Sequence, residues 1–192
     1  TGSQQALDLI AKTLLDEGDV ALVEAPTFLA TIQCFRLYGP RVLGVPIDAD
    51  GVQVDRLEEM VVRHRPKLVY IIPTFGNPSG AMLSHERRLK ILQMAVRHRV
   101  VVVEDDPYGD LYFHAEPPPS LLALSHQVPG SREWLLHCGS LSKVLSPGLR
   151  VGWLIAPPGL LQRATMCKQF SDAHTSTYAQ ATAAEYLKSG RM

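Results

Sequence analysis

Val100-Val101-Val102-Val103-Glu104-Asp105-Asp106-Pro107-Tyr108 is the stretch on which the fold turns. Four consecutive β-branched apolar residues suit a strand covered on both faces, the habit of parallel sheets. Three carboxylates follow at once, and carboxylates at the end of a buried strand are costly without partners. The helical pattern from Ser84 to about His98 lies just before this strand, with Ser84 as its cap and Glu86 near its start. The same alternation extends in both directions. Leu68–Ile72, Arg41–Pro46 and Val20–Val23 are expected strands on one side, and Trp134–His137 and Trp153–Ala156 on the other. Helices are expected from Ala6 to Leu15, from Phe28 to Tyr38, around Leu57–Val61, near Leu160–Phe170 and near Thr177–Leu187. Asp48-Ala49-Asp50-Gly51 reads as a turn, and Glu116-Pro117-Pro118-Pro119-Ser120 as a stiff loop rather than a linker. The expected fold class is α/β, a three-layer sandwich around a mostly parallel sheet. Ligands of such sheets bind beyond the carboxyl ends of the strands.

Composition excludes several classes of protein. The chain has 192 residues, 46% hydrophobic and 20% charged, enough for one domain with a substantial core. Nineteen basic residues balance nineteen acidic ones, so no charge excess points to nucleic acid. No apolar run is long enough to span a bilayer, and no signal peptide opens the chain. Cys34, Cys138 and Cys167 are odd in number and far apart, which suits a reducing, cytoplasmic setting. The seven histidines make no metal-ligand spacing, and no metal is expected; His174 reads as a surface residue. Thr1 is not an initiator Met, and both ends read as cut from a longer protein.

The residues after each strand are the candidates for chemistry. A carboxylate of Glu104-Asp105-Asp106 suits a protonated ring nitrogen of a bound cofactor; it equally suits a helix cap or a metal cluster. Gly139-Ser140-Leu141-Ser142-Lys143 places a lysine between hydroxyls beyond a buried strand. Such an amine becomes a nucleophile when its surroundings lower its pKa, whereas alone it is a solvated charge. Ser146-Pro147-Gly148-Leu149-Arg150 follows, and Arg with Ser suits a phosphate. Thr1-Gly2-Ser3-Gln4 precedes a helix and is either an anion site or an ordinary N-cap; it is not a Walker A loop. Asn77, in Asn77-Pro78-Ser79-Gly80, serves a turn or offers its amide to a ring hydroxyl. Phe28, in Pro26-Thr27-Phe28, packs in the core or covers an aromatic ring.

Taken in order, Gly2-Ser3-Gln4-Gln5, Pro26-Thr27-Phe28, Asn77-Pro78-Ser79-Gly80, Asp105-Asp106-Pro107-Tyr108 and Ser140-Leu141-Ser142-Lys143 with Arg150 resemble the fold-type I, pyridoxal-phosphate-dependent aminotransferases of class I/II. The resemblance spans essentially the whole chain. Its most specific part is Ser-x-Ser-Lys followed by Pro-Gly-Leu-Arg-x-Gly-Trp. Glu104-Asp105-Asp106-Pro107-Tyr108 and His174-Thr175-Ser176-Thr177 are similar to the 2-aminoadipate and kynurenine-type enzymes.

The resemblance implies amino-group transfer between an amino acid and a 2-oxo acid, with pyridoxal 5'-phosphate as cofactor. It implies a Schiff base on Lys143, Asp105 on the pyridine nitrogen, and Tyr108 and Asn77 on the ring oxygen. Phe28 would stack on the ring, and Ser3, Gln4, Ser140, Ser142 and Arg150 would hold the phosphate. Lys143 would also move the proton at the substrate α-carbon.

Residues 1–192 then correspond to an incomplete cofactor-binding large domain. An amino-terminal segment and a carboxyl-terminal small domain carrying the substrate-carboxylate arginine lie outside it. A homodimer is implied for the full-length protein, no membrane or nucleic-acid partner for this region, and inactivity for this region alone. Phe28 stands where relatives often carry Tyr, and Gly76 where a larger residue is common, which implies a looser loop. Three other readings stay open: a different pyridoxal-phosphate reaction such as elimination or decarboxylation, the effector domain of a GntR/MocR-type transcription regulator, and a degenerate scaffold.

Overall fold

The computed structural model describes residues 1–190. Among these, seven strands form one sheet, β1 (Val20–Ala25), β2 (Arg41–Asp48), β3 (Gly51–Val52), β4 (Leu68–Ile71), β5 (Val101–Asp106), β6 (Leu135–Ser140) and β7 (Gly152–Ile155), in the order β3-β2-β1-β4-β5-β6-β7. β2-β1-β4-β5-β6 are parallel, and the two edge strands β3 and β7 are antiparallel to their neighbours. Seven helices among the described residues accompany the sheet: α1 (Gly2–Leu14), α2 (Leu29–Arg36), α3 (Val54–His64), α4 (His85–His98), the single turn α5 (Leu121–Leu124), α6 (Pro158–Asp172) and α7 (Thr177–Lys188).

Alternate strand residues face opposite ways. Leu22, Val69, Ile71, Val102 and Leu135 pack under α3, α4 and α5. Ala21, Val23, Leu68, Tyr70, Val103, Leu136 and Cys138 pack under α1 and Phe35 of α2. The core is therefore two apolar layers, one on each side of a central sheet, as the continuous apolar runs imply.

Three details depart from the sequence-based expectation. β5 does not stop at Val103 but runs through Glu104, Asp105 and Asp106, because β6 continues beside it as far as Ser140 and pairs with all three. The turn at Asp48–Gly51 closes a hairpin with β3, held by Arg87, whose guanidinium donates to both oxygens of Asp48 at 2.6 and 2.9 Å. Gly76 does not loosen its loop: its N–H donates to Ala81 at 2.8 Å, its carbonyl accepts from Gly80 at 2.6 Å, and an added Cβ would lie 2.9 Å from Ser79 Oγ.

One glycine sets the position of α1. A Cβ on Gly152 would stand 2.5 Å from the Ser3 nitrogen, 2.7 Å from the Gly2 carbonyl carbon and 2.9 Å from the Gly139 oxygen. All three are backbone atoms, so β7 and the start of α1 can touch only through glycine. Gly152→Ala in the full-length protein is expected to lower stability by about 1–3 kcal/mol, read by thermal or denaturant unfolding.

Candidate active site

The carboxyl ends of β1, β4, β5 and β6 and the amino end of α1 meet at one edge of the sheet, where β1 and β4 leave in opposite directions. This is the topological switch point at which open α/β sheets bind ligands. Ser3 and Gln4 come from the first turn of α1, and Phe28 from the segment after β1. Asn77 follows β4, Asp105 is in β5, and Tyr108 lies just beyond it. Ser140 ends β6, Ser142 and Lys143 follow it, and Arg150 precedes β7. All ten residues line one cavity of about 210 Å³, with Leu7, Ile72, Pro107 and Pro147 completing its wall. His174, by contrast, is exposed, bonded at 2.9 Å to the Thr175 carbonyl, and takes no part in the cavity.

Part of the cavity gathers a cation, hydroxyls and a helix amino end. Arg150 adopts a left-handed backbone (φ 54°), and its guanidinium donates to Ser142 Oγ and the Pro147 carbonyl, each at 3.2 Å. A Cβ on Gly2 would lie 2.7 Å from Arg150 Nη2, so glycine there lets the cation approach the amino end of α1. Ser140 Oγ accepts from the Ser142 N–H at 3.1 Å and shapes the turn. A guanidinium, hydroxyls and the first N–H groups of a helix all favour negative charge.

The cavity wall also carries a carboxylate. The pleat divides the three acids of β5. Asp105 follows Val103 onto the α1 side, while Glu104 and Asp106 follow Val102 onto the α4 side. Glu104, fully buried, accepts from the N–H groups of Leu121 at 2.6 Å and Leu122 at 3.0 Å and pairs with His137 Nδ1 at 2.8 Å. Glu104 thus caps α5. Burial alone would lower the His137 pKa, but the hydrogen bond and charge of Glu104, together with the charges of Asp106 and Asp105, outweigh it and raise the value. Asp105 is 4% exposed, and burial raises its carboxyl to about 6, a rise held down by the hydrogen bond that Tyr70 donates. Its Oδ1 has no partner among the described residues. An unpaired buried carboxylate oxygen on a cavity wall calls for a cationic or N–H donor from a ligand. Lys143 brings its amine to the same cavity, 6.0 Å from the centre of the Tyr108 ring.

Several contributors are not singled out by sequence. Arg88, fully buried, donates to the carbonyls of Pro73 at 2.9 Å, Leu83 at 3.0 Å and Pro119 at 3.3 Å and to Thr74 Oγ1 at 3.0 Å, which ties down both ends of the Asn77 loop. Glu24, buried near the end of β1, accepts from the Ile72 N–H at 2.9 Å, and burial raises its pKa to about 7. Among the described residues, no group of three or more His, Cys, Asp or Glu is placed to hold a metal ion.

The aminotransferase class I and II model matches residues 1–191. The chain belongs to the class I and II aminotransferase family. It is 47% identical over 192 residues to a 2-aminoadipate transaminase of Thermus thermophilus, covering 99% of this chain and 47% of that protein. The crystal structure of LysN, the α-aminoadipate aminotransferase of Thermus thermophilus complexed with N-(5'-phosphopyridoxyl)-L-leucine, superposes with a TM-score of 0.94 at 46% identity, over 98% of this chain and 48% of that one. The HTH-type transcriptional regulator YisV of Bacillus subtilis, itself uncharacterized, is 37% identical over 99% of this chain and 38% of its own length. This class I and II aminotransferase chain thus spans less than half the length of these relatives.

The buried acids predict a pH dependence. A carboxyl raised from 3.8 to about 6 in the folded state binds more protons there than when unfolded. Its stabilising contribution is complete below the unfolded value and is lost as pH rises through about 6. Glu24, raised from 4.5 to about 7, acts in the same direction. Asp105→Asn in the cofactor-free protein is expected to raise stability at pH 7.5 by about 1–3 kcal/mol and to make little difference at pH 4. Denaturant melts of the two proteins at both pH values check this.

Proposed function

We propose that the full-length protein is a pyridoxal-phosphate-dependent aminotransferase that moves an amino group between an amino acid and a 2-oxo acid. The observation that carries this reading is the buried Asp105 Oδ1, left without a partner on the wall of a cavity that also holds the Lys143 amine and an anion cradle. These groups fit a phosphorylated, protonated aromatic ring. When bound, pyridoxal phosphate supplies a ring that accepts electron density from the substrate α-carbon.

Asp105 would hold the proton on the ring nitrogen through Oδ1. Arg150, Ser140, Ser142, Ser3 and Gln4 would bind the phosphate. Phe28, packed against the core on one side, would cover the ring with the other. Asn77 and Tyr108 would take the ring oxygen. Lys143 Nζ would hold the cofactor's aldehyde carbon covalently, and, once the substrate amine has displaced it, the freed amine would take and return the proton at the substrate α-carbon. Among the described residues, it is the one lysine that lines the cavity.

Residues 1–192 act in this reading as the cofactor-binding large domain, paired in a cytoplasmic homodimer, with the group that binds the substrate carboxylate supplied from outside them. The similarity to a 2-aminoadipate transaminase favours an amino-dicarboxylic donor. The likeness to YisV favours a second reading, an effector domain that binds the cofactor without turnover.

The loaded full-length protein, mixed with 2-aminoadipate, is expected to release 2-oxoadipate and leave the cofactor in its amine form. Lys143→Ala is expected to slow this by about 10²–10⁴-fold or more. Cofactor uptake with no 2-oxo acid from any amino acid tried would favour the regulator.

A further inference from the structure

Tyr70 is the one polar-tipped residue of β4, whose other members are Leu68, Val69 and Ile71. It is fully buried, on the α1 face of the sheet. Its hydroxyl donates to Asp105 Oδ2 at 2.6 Å. Phe35 meets its ring edge-on, with centroids 5.9 Å apart and planes at 85°. The register explains the contact. Tyr70 lies opposite Val103 in the neighbouring parallel strand, so Asp105 is two residues further along on the same face, within reach of a long aromatic side chain.

A carboxylate held by one oxygen cannot turn freely about its Cβ–Cγ bond. With Oδ2 taken by Tyr70, Oδ1 is the oxygen left over, and it has no partner among the described residues. We infer that Tyr70 is a positioning residue for the cofactor: its hydrogen bond locks the Asp105 carboxylate and reserves Oδ1 for the ring nitrogen of pyridoxal phosphate. The inference rests on the cofactor reading above and adds a residue that is not itself part of the cavity wall. A phenol that merely satisfied its own buried hydroxyl would affect stability alone.

The bond favours the ionised carboxylate against the burial that opposes it. The other titratable groups around Asp105 are Glu104 and Asp106 beside it in β5, His137 and Cys138 on β6, and Tyr108, Lys143 and Arg150 in the cavity. None of these is altered by Tyr70→Phe, which keeps the ring, its volume and the contact with Phe35.

The test uses the full-length protein with two replacements of Tyr70, by Phe and by a ring-fluorinated tyrosine, the latter a stronger donor of the same shape. Two quantities are read. The first is the titration of the Asp105 carboxyl in the cofactor-free protein, followed by carbon NMR and assigned by its absence in Asp105→Asn. The second is the affinity for pyridoxal phosphate between pH 5 and 9. In Tyr70→Phe the carboxyl titration is expected to move up by about one pH unit or more. The acid limb of the affinity profile should move with it, giving about tenfold weaker binding below pH 7. The fluorinated tyrosine is expected to move both the other way.

An Asp105 titration that stays in place in both variants would overturn the inference. So would a titration that moves while the affinity profile does not, with Asp105→Asn still weakening binding. Failure of the cofactor reading looks different: the unaltered protein takes up no pyridoxal phosphate although the Asp105 titration still responds to Tyr70. That result would remove the positioning role along with the cofactor.

Discussion

The site depends on one constraint, the pleat of β5 at the point where three carboxylates leave the sheet. Alternation sends Glu104 and Asp106 to one face and Asp105 to the other. On the first face Glu104 serves the structure, while Asp106 keeps a buried Oδ1 without a partner among the described residues, outside the cavity lining. Glu104 caps α5 and binds His137, and both acids lie in the field of the buried Arg88 guanidinium. On the second face Asp105 has only Tyr70 among the described residues, so one oxygen is left over inside a cavity. A shift of one residue in the pairing of β5 would exchange these roles and leave the cavity without its acid.

Close backbone approach holds Arg150 and the first residues of α1 together in the same cavity as that acid. Gly152 lets β7 touch the first residues of α1, and Gly2 lets Arg150 reach the same place. The start of α1, the end of β6 and the turn before β7 are therefore in direct contact, although far apart in the chain. Arg88 does the equivalent for the Asn77 loop by binding carbonyls at both of its ends. A buried guanidinium is costly without partners. Its bonds to three carbonyls and a hydroxyl, together with the nearby Glu104 and Asp106, answer for its presence in the core.

Much of this was legible in the sequence. The valine run, Leu68–Ile72 and Val20–Val23 announce buried parallel strands by their length and composition, and the family that the sequence resembles is the one whose model matches residues 1–191. The ten candidate side chains do converge on one cavity, though their individual roles are read from chemistry and resemblance. The remainder was hidden for definite reasons. β5 extends through its acids because β6 pairs beyond His137, a tertiary effect no local pattern carries. β3 is two residues long and exists through its hairpin with β2 and the Arg87–Asp48 pair. Nothing local in the sequence singles out Tyr70 or Arg88, since their partners lie 35 and at least 5 positions away. Only the register between β4 and β5, combined with the pleat, brings Tyr70 to Asp105.

The central claim is that Lys143 is the amine that receives the cofactor. Incubating the full-length protein with pyridoxal phosphate, reducing with borohydride and mapping the modified peptides tests it directly. The account predicts a pyridoxyl group on Lys143 and its loss in Lys143→Ala, with Lys12, Lys67, Lys90, Lys168 and Lys188 unlabelled. Label spread over those other lysines, or an intact protein that leaves Lys143 unmodified, would contradict it.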